Sequence, residues 1–372
     1  MILHIVNDFN LTKVHKELYY NLDELGIPQK IFIPFRNNSQ IGNNHFEFVT
    51  NGSDYIYSDR ISLLHRVIFP FKIKRLYNSL IKKVELDKIT LSHATTLFSD
   101  GAIAYKLYKK YNIPYIVAVR NTDINFYFTK RKELINLGLN ILKNASKIIF
   151  ISESNKDNFL KIKSIYKIKE DIIHKIVVIN NGIDNYWIQN RKKYKSDVKQ
   201  DLNFLFIGRF DSNKNVENLI AAFQLLNENR ERKLRLNLVG GTGNNHNKVI
   251  DLITSIDWVN YHGEIYDKKL LEVIFQENDY FSMISHTETF GLVYIEALSQ
   301  GKPLLYTKGQ GVDGVFNIQI GESVDSKNIL DIKNKIETLI SNTYEEINEI
   351  HFSSFSWKSI SEKYSLIYND II

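Results

Sequence analysis

Short apolar runs rich in β-branched residues alternate with longer segments of helical periodicity along the chain. This alternation is typical of parallel sheets covered by helices on both faces, because a crossover helix follows each buried strand. In the first half, helices are predicted at residues 13–25, ended by Gly26, and at residues 101–111. The same pattern predicts six strands there, at residues 2–6, 31–34, 89–93, 115–119, 147–152 and 175–179.

The alternation starts again in the second half, after a polar and charged stretch at residues 190–200 that we interpret as a linker. Two doubly wound domains are therefore expected, at residues 1–186 and 187–352, with a ligand crevice between facing carboxyl ends of their strands. The second half is predicted to hold strands at 204–208, 234–239, 259–261, 280–284 and 303–306, and closing helices at 326–341, 344–351 and 357–371.

Composition narrows the class of protein. A length of 372 residues fits about two domains, and a net charge of +6 is mild for such a chain, so no nucleic-acid partner is expected. The absence of cysteine excludes disulfides, thiol catalysis and cysteine-ligated metals. The apolar runs are too short to span a bilayer, and the first residues enter a strand without a charged segment. No signal peptide and a cytoplasmic location are therefore expected.

One basic segment stands out, at residues 65–84. It contains Lys and Arg residues interleaved with apolar residues and no acid. Such a segment suits an anionic membrane surface. The alternative is a helix that packs its apolar stripe on the core and leaves its basic side chains in solvent. The six basic residues are Arg66, Lys72, Lys74, Arg75, Lys82 and Lys83.

Two glutamates flank the start of a predicted helix. Glu288 falls in the turn before the helix, where Thr289 is expected to cap free N–H groups. The helix is expected over residues 291–300, with Gly301 as a left-handed stop, so Glu296 lies inside it. A helix N-terminus attracts anions and carboxylates bind hydroxyls, which predicts a nucleotide sugar as ligand. Ordinary surface glutamates are the alternative, although the neighbours of Glu296 are apolar.

The second domain opens with a strand that ends at Gly208, followed by Arg209 and Lys214. Basic side chains at the carboxyl end of a strand are placed to meet a diphosphate, Arg as a planar fork and Lys as a point charge. Simple solvation of both residues is the alternative. The next strand ends in a glycine-rich turn at Gly240, which allows close backbone approach but matches neither the dinucleotide fingerprint nor a P-loop.

Polar residues also follow strands of the first domain. His93 ends one strand, Arg120, Asn121 and Asp123 follow the next, and Asn10 lies in the first loop. All are expected to face the crevice, although a histidine at a strand end is often simply satisfied by its neighbours. The sequence has no Asp-x-Asp pair and no metal-ligand spacing of histidines, so no metal is expected. Diphosphate charge would then be neutralised by basic residues and helix N–H groups.

Several motifs, in this order, resemble the large retaining GT-B glycosyltransferase group, family 4, also called glycosyl transferases group 1. They are G-R-F-x-x-x-K-N-V-E-N-L-I-A-A-F from Gly208, L-V-G-G-T-G, Y-H-G, and S-H-T-E-T-F-G-L-V-Y-I-E-A-L-S-Q-G-K-P from Ser285. The domain junction of that family is similar to I-S-E-S-N-K from Ile151 and V-V-I-N-N-G-I-D from Val177. The resemblance implies two Rossmann-like doubly wound domains facing a cleft, with residues 353–372 as a helix that crosses back to the first domain.

The resemblance also implies roles for individual residues. Arg209 and Lys214 would bind the donor diphosphate and stabilise it as the leaving group. Glu296 would hold the ribose hydroxyls, Glu288 would contact the donor sugar, and His93 would lie beside that sugar. The other donor-binding residues would be Gly208 and Gly240, together with the three whose N–H groups touch sugar or phosphate, Phe290, Gly291 and Leu292.

Two departures from the family fall on the acceptor side. The first loop reads N-D-F-N-L-T where the family usually has a Gly-Gly pair, and Arg120 stands where a second histidine is common. Acceptor-side residues are therefore predicted from position alone: Asn10, Arg120, Asn121 and Asp123.

These features predict a retaining glycosyltransferase that needs no metal and no cofactor. It is expected to move a sugar from a nucleotide diphosphate donor to a hydroxyl of a growing, lipid-linked bacterial surface glycan, in the cytoplasm or at the cytoplasmic face of the membrane. No obvious nucleophile is present, in contrast to glycosidases, so catalysis is expected to rest on leaving-group stabilisation. A nucleotide-sugar epimerase or hydrolase, and a catalytically silent partner subunit, are the alternatives.

Overall fold

The structure is a computed structural model that describes residues 1–62, 68–196 and 202–372. The chain divides into two compact units, which we call unit 1 and unit 2. Unit 1 comprises Met1–Ile151, Asn155–Gly182 and Trp357–Ile372, and unit 2 comprises Ser152–Ser154 and Ile183–Ser356.

The first division falls after Gly182, where the sequence placed it after residue 186, and the last segment of unit 1 begins at Trp357 rather than 353. The linker expected at residues 190–200 lies partly outside the described residues. Its described part belongs to unit 2 and does not separate the units.

Unit 1 contains a sheet of seven strands, one more than predicted. They are β1 (Ile2–Ile5), β2 (Gln29–Ile33), β3 (Asp54–Tyr57), β4 (Leu91–Ala94), β5 (Tyr115–Ala118), β6 (Lys147–Phe150) and β7 (Ile176–Val178). All are parallel, in the order β3-β2-β1-β4-β5-β6-β7. The order reverses direction between β1 and β4, which makes the sheet doubly wound. The unpredicted strand, β3, is a short edge strand whose residues are mostly half-exposed.

Unit 2 contains a second parallel sheet, with six strands. They are β8 (Asn203–Arg209), β9 (Arg235–Gly241), β10 (Val259–Tyr261), β11 (Tyr280–Met283), β12 (Leu304–Thr307) and β13 (Gly321–Val324). Their order is β10-β9-β8-β11-β12-β13, so the reversal lies between β8 and β11. The unpredicted strand β13 begins with Gly321, where a Cβ would lie 1.9 Å from the carbonyl oxygen of Leu304.

Helices separate most of the strands in both units, as the alternating pattern predicts, but within the described residues no α-helix lies between β2 and β3 or between β12 and β13. In chain order they are α1 (Lys13–Glu24), α2 (Phe69–Lys83), α3 (Gly101–Tyr111), α4 (Phe128–Lys130), α5 (Ile135–Asn144), α6 (Glu153–Leu160), α7 (Lys163–Tyr166), α8 (Lys169–Ile172), α9 (Asn185–Gln189), α10 (Val216–Asn227), α11 (His246–Ile253), α12 (Lys268–Glu277), α13 (Leu292–Ser299), α14 (Ile329–Ser341) and α15 (Trp357–Ile371). The helix expected at 344–351 is wrong, since that segment forms a 3₁₀ turn, Glu345–Glu349.

The strands of unit 1 bury side chains on both faces, because successive residues of a strand point in opposite directions. From β1, Leu3 joins one hydrophobic core, whereas Ile2 joins a second core that contains Trp357 and Tyr364 of α15. The predicted return of the C-terminal helix to the first domain is therefore confirmed. Gly182 allows this packing, since a Cβ there would lie 2.6 Å from the Trp357 ring.

Candidate functional site

The loops that follow β8 and β11 of unit 2 bring two predicted site residues together. Lys214 Nζ donates a hydrogen bond to Glu288 Oε2 at 2.7 Å, and Met283 Sδ lies 3.5 Å from the same nitrogen. Because β8 and β11 are the neighbours at which the strand order reverses, this pair lies at the switch point where doubly wound sheets bind ligands. The Lys214 and Glu288 side chains are 22% and 16% exposed, so both keep a surface for a ligand.

The loop that carries Glu288 is fixed by residues for which the sequence predicted no role. The Glu288 N–H donates to Gln310 Oε1 at 3.1 Å, and the Glu288 carbonyl accepts from the Gly311 N–H at 2.9 Å. Gly311 has φ of 55°, and a Cβ there would lie 2.9 Å from Glu288 Cγ. The G-Q-G sequence after β12 was the available signal, because such glycines mark close backbone approach.

The helix beside this pair, α13, begins at Leu292 and not at Gly291. Gly291 is its N-cap with φ of 76°, and a Cβ there would lie 2.5 Å from the Tyr294 ring. The predicted capping by Thr289 is wrong, because the N-cap residue is Gly291 and no side chain among the described residues caps this helix. The Thr289 N–H donates to Glu288 Oε1 at 3.1 Å. The first-turn N–H groups of α13 therefore form a positive end beside Glu288, which suits an anion. Gly301 has φ of 69°, so the predicted left-handed stop is confirmed.

Phe290, just before this helix, is buried and stacks on Phe355, which leaves its backbone N–H, the group predicted to touch sugar or phosphate, as the part suited to a ligand.

Glu296 lies inside α13 and is partly exposed. Desolvation, reinforced by Asp184, raises the pKa of its carboxyl to about 7, whereas Lys268 and a hydrogen bond from Trp187 oppose this rise. A carboxylate that water solvates poorly gains most from ligand hydroxyls, which fits the predicted contact with ribose. The sequence analysis missed Trp187 because it lies outside the recognised motifs, between the one that ends at Asp184 and the one that begins at Gly208. Only folding brings Trp187 to Glu296.

Arg209 is the last residue of β8, which ends one residue beyond the strand predicted at residues 204–208. The extension occurs because Gly208 and Arg209 pair with Gly240 and Gly241 of β9. A Cβ on Gly240 would lie 1.9 Å from the Gly208 carbonyl oxygen, so strand pairing alone requires a glycine there. The Arg209 side chain is 67% exposed, with Nε 3.3 Å from Asp211, and remains available for a diphosphate.

In unit 1 the structure corrects the role expected for His93. His93 is only 1% exposed, stacks on Tyr364, and its Nδ1 lies 2.8 Å from the hydroxyl of Tyr368. Burial, with His4 and Arg120 nearby, lowers the pKa of His93 well below 6.5. A neutral side chain packed under α15 has no surface for a sugar, so we assign it to the core of unit 1.

Asp123 is a second buried residue among the predicted acceptor contacts. Its carboxylate accepts hydrogen bonds from the backbone N–H groups of Leu97, Phe98 and Arg120 at 2.9–3.2 Å. Burial raises its pKa to about 6 despite these donors. Because Asp123 is 1% exposed, its visible role is to join the loops after β4 and β5.

The other acceptor-side residues keep some exposure. Arg120 and Asn121 are partly exposed, although Arg120 Nε donates to the Thr95 carbonyl at 3.0 Å and Asn121 Oδ1 accepts from Asn155 at 2.8 Å. Asn10 lies in a 3₁₀ turn, Phe9–Leu11, and its side-chain amide donates to the backbone carbonyls of Gln40 at 3.0 Å and Asn43 at 3.3 Å. The structure thus leaves these three as candidate acceptor contacts.

The basic segment lies partly outside the described residues, since His65, Arg66 and Val67 are not among them. Its helix, α2, packs Ile73, Leu76 and Leu80 into the core of unit 1. Lys72 is also buried, with Nζ 3.0 Å from Ser99 Oγ, so its expected place at a membrane surface is wrong. The exposed basic and large apolar residues among the described part of the segment are Ile68, Phe71, Lys74, Arg75, Lys82 and Lys83. Among the described residues, we find no helix that combines the length and the apolar character needed to cross a bilayer.

Solved structures with the same arrangement show which fold class this is. Sucrose-phosphate synthase from Thermosynechococcus elongatus is 17% identical and superposes with a TM-score of 0.74, covering 100% of this chain and 98% of that one. A lipopolysaccharide outer core galactosyltransferase is 15% identical with a TM-score of 0.70, covering both chains fully (100% each). Anabaena HepE, solved in complex with UDP and glucose, is 16% identical with a TM-score of 0.67 and covers 99% of each chain. At these identities the likeness shows the fold, which is that of the GT-B glycosyltransferases.

The family follows from sequence matches. Residues 188–351 match the family described as Glycosyl transferases group 1, so the expected resemblance to this group is confirmed for that part of the chain. An uncharacterized glycosyltransferase of Methanocaldococcus jannaschii is 24% identical over 303 residues, covering 77% of each chain. An uncharacterized 41.2 kDa protein in the cps region of Klebsiella pneumoniae is 26% identical over 258 residues, covering 68% of this chain and 58% of that protein. Together these matches support a glycosyltransferase.

Proposed function

We propose that this protein is a retaining glycosyltransferase that transfers a hexose from a nucleoside diphosphate sugar to a hydroxyl of a growing bacterial surface glycan. The observation that carries the proposal is the Lys214–Glu288 pair beside the N-terminus of α13, with Glu296 about one turn into the same helix. This places an ammonium, helix N–H groups and two carboxylates around one edge of the sheet. Phosphates suit the first two, and sugar hydroxyls suit the carboxylates.

The reaction needs stabilisation of a leaving group more than it needs a nucleophile. The bond between the anomeric carbon and the β-phosphate oxygen breaks, and its electron pair stays on the nucleoside diphosphate. The acceptor oxygen bonds to the anomeric carbon, and its proton passes to the departing phosphate or to solvent. Lys214, the exposed Arg209 and the positive end of α13 would stabilise the charge that develops on the diphosphate. No metal is required by this scheme.

The two carboxylates would bind different parts of the donor. Glu296, partly exposed and poorly solvated, would accept hydrogen bonds from ribose hydroxyls. Glu288 would contact the transferred sugar, and its pairing with Lys214 would hold it next to the diphosphate. A nucleotide-sugar donor is supported by the complex of HepE with UDP and glucose, a protein of the same fold.

The acceptor is proposed to be a lipid-linked glycan, bound through Arg120 and Asn121 of unit 1. The galactosyltransferase acting on lipopolysaccharide and the relative in a cps region support a surface polysaccharide. The exposed basic residues of α2, together with Phe71 at 62% exposure and Ile68 at 44%, would hold unit 1 at an anionic membrane surface.

A donor screen tests this function first. Thermal unfolding would be followed with UDP, GDP, UDP-glucose, UDP-galactose, UDP-N-acetylglucosamine and GDP-mannose. A ligand that binds only the folded state at 100 times its Kd stabilises it by about 2.7 kcal/mol, so a cognate nucleotide should raise Tm by several degrees. Absence of any shift with nucleotides and nucleotide sugars, at millimolar concentration, would count against a nucleotide-sugar site.

The acceptor and the stereochemistry need a second experiment. The donor that shifts Tm most would be incubated with a polyprenyl-diphosphate-linked sugar and, separately, with a free oligosaccharide of the same sequence. Faster transfer to the lipid-linked acceptor is expected, with the anomeric configuration of the donor kept in the product by proton NMR. An inverted product would refute retention, and equal transfer to both acceptors would refute the lipid-linked assignment.

A further inference from the structure

The side-chain amide of Asn213 ties together the two loops that carry Lys214 and Glu288. Its Nδ2 donates to the Thr287 carbonyl at 2.9 Å, and its Oδ1 accepts from the Thr287 N–H at 3.0 Å and from the Thr287 hydroxyl at 2.7 Å. The Asn213 carbonyl also accepts from the His286 N–H at 2.8 Å. One side chain thus satisfies both backbone groups of Thr287, as a neighbouring strand would. We call these side-chain hydrogen bonds between Asn213 and Thr287 the clamp.

The position of this clamp in the sequence gives it a consequence for the site. Asn213 immediately precedes Lys214, and Thr287 immediately precedes Glu288. The two loops follow different strands, β8 and β11, and the ion pair joins them on the ligand side. Gln310 and Gly311 hold Glu288 against the loop after β12, not against the loop that carries Lys214. Without the side-chain bonds of Asn213, the 2.7 Å spacing of Lys214 and Glu288 would depend on one backbone hydrogen bond and on their own flexible side chains.

We propose that Asn213 is a positioning residue that fixes the Lys214 ammonium against the Glu288 carboxylate, and so sets the distance between diphosphate and sugar contacts. This inference rests on the function proposed for that pair. Asparagine is the residue suited to the task, because a carboxylate cannot donate to the Thr287 carbonyl and an aliphatic side chain can do neither. An error of about 1 Å between such groups can cost about 10²-fold in rate, so the clamp acts on turnover more than on binding.

Chemical labelling tests the clamp without any knowledge of the donor. The protein would be treated with an N-hydroxysuccinimide ester of acetic acid, and acetylation of Lys214 quantified by mass spectrometry over time. Asn213→Ala should raise the labelling rate of Lys214 about fivefold or more, and Asn213→Asp, which keeps only the acceptor, should raise it less. Asn244→Ala is the matched control, because Asn244 also bonds this loop, at Ser212, but does not reach Thr287.

A double mutant separates positioning from general loosening of the loop. On a Glu288→Gln background, Lys214 has already lost its ionised partner, so adding Asn213→Ala should change its labelling by less than twofold. A fivefold rise in the labelling rate of Lys214 on both backgrounds would overturn the proposal. So would a rise in that rate with Glu288→Gln alone but none with Asn213→Ala alone. If Asn213→Ala does not fold, Thr287→Val replaces it, since that change removes only the hydroxyl bond to Asn213.

Turnover then tests the consequence for catalysis. With UDP-glucose as the probe, Asn213→Ala should lower kcat about 10-fold while KM stays within twofold, and Asn213→Asp should recover part of the loss. If Glu288→Gln lowers kcat and Asn213→Ala does not, the positioning role is refuted although the proposed function stands. If Glu288→Gln leaves kcat unchanged, the function proposed for the pair fails, and the labelling experiment still decides whether the clamp exists.

Discussion

Replacing Glu296 with Gln tests the predicted ribose contact through two measurements that should move in opposite directions. Desolvation and the nearby Asp184 raise the pKa of Glu296 from 4.5 to about 7. A rise of this size corresponds to about 3 kcal/mol of free energy of unfolding lost once the carboxyl is ionised. Because the residue is partly exposed, we expect about 1–3 kcal/mol.

The direction in which pH changes the free energy of unfolding follows from which state, folded or unfolded, holds the Glu296 proton more tightly. The folded state keeps the Glu296 proton up to about pH 7, whereas the unfolded state releases it near pH 4.5. The penalty is therefore absent below about pH 4, grows as the pH rises to 7, and is constant above. Glu296→Gln should match the wild type in stability at pH 4 and exceed it at pH 8, since a neutral amide does not carry the penalty.

Urea unfolding followed by circular dichroism at pH 4, 6 and 8 measures this difference directly. Taking the difference between variant and wild type cancels the contributions of Asp100 and Asp123, whose pKa values are also raised, to about 7 and about 6. Glu228→Gln, at an exposed position just after α10, is the control for the substitution of glutamate by glutamine itself.

Affinity for UDP, measured by calorimetry at pH 8, should change the other way. An ionised carboxylate accepts from both ribose hydroxyls, whereas an amide accepts from one and meets the other with a donor, so the variant should bind UDP about 10-fold more weakly. The difference in UDP affinity between wild type and variant should become smaller below pH 7, where Glu296 becomes protonated. A variant that is more stable at pH 8 yet binds UDP as tightly as the wild type would refute the ribose contact.

The remaining predictions concern charge on the donor, metal and membrane. Arg209→Ala and Lys214→Ala should each lower kcat/KM by about 10²-fold, which is the scale of losing one charge-stabilising group. Lys248→Ala is the exposed control and should not lower it. Wild-type rates in both the Arg209 and the Lys214 variant would refute the diphosphate assignment. Activity should survive EDTA, and complete loss restored by Mg²⁺ would contradict the metal-free scheme. The protein should sediment with anionic vesicles at low salt and be released at high salt, and failure to sediment even at low salt would refute the membrane contact. The variant expected to abolish sedimentation replaces with Gln the exposed residues Lys74, Arg75, Lys82 and Lys83.

The alternation of strands and helices was a sound guide to the fold, because buried parallel strands read as continuous apolar runs. It failed at the sheet edges. In β3 only Ile56 is buried, and in β13 only Val324 of the sequence G-E-S-V is a large apolar residue, so neither gives the continuous apolar run of a buried strand. Both pair through backbone hydrogen bonds with a neighbour that the sequence does not name. Pairing partners of this kind are set by tertiary structure, not by local preference.

His93 shows a second reason why the sequence alone does not identify the residues of a site. The sequence places it correctly in a strand, but the face it occupies depends on the register of β4 with β1, where His93 lies opposite His4. That face is covered by α15, which begins only at Trp357, far along the chain from His93. A one-residue shift would have turned the side chain to the other face. Long-range packing thus decided between a ligand contact and a core residue.

The donor and acceptor halves of the proposed site differ in how strongly chemistry constrains the sequence. A diphosphate requires cations, glycines and a helix N-terminus at one switch point, and these leave a pattern that sequence alone reveals. Acceptor contacts need only a polar side chain on a loop, and buried loop-joining residues such as Asp123 look the same in sequence. Asn213 borders the donor motif, but an asparagine in a loop is ordinary in sequence. Its proposed role follows only from its contact with Thr287 in the structure. Residues that act through a second loop are therefore the ones that the structure, and not the sequence, can identify.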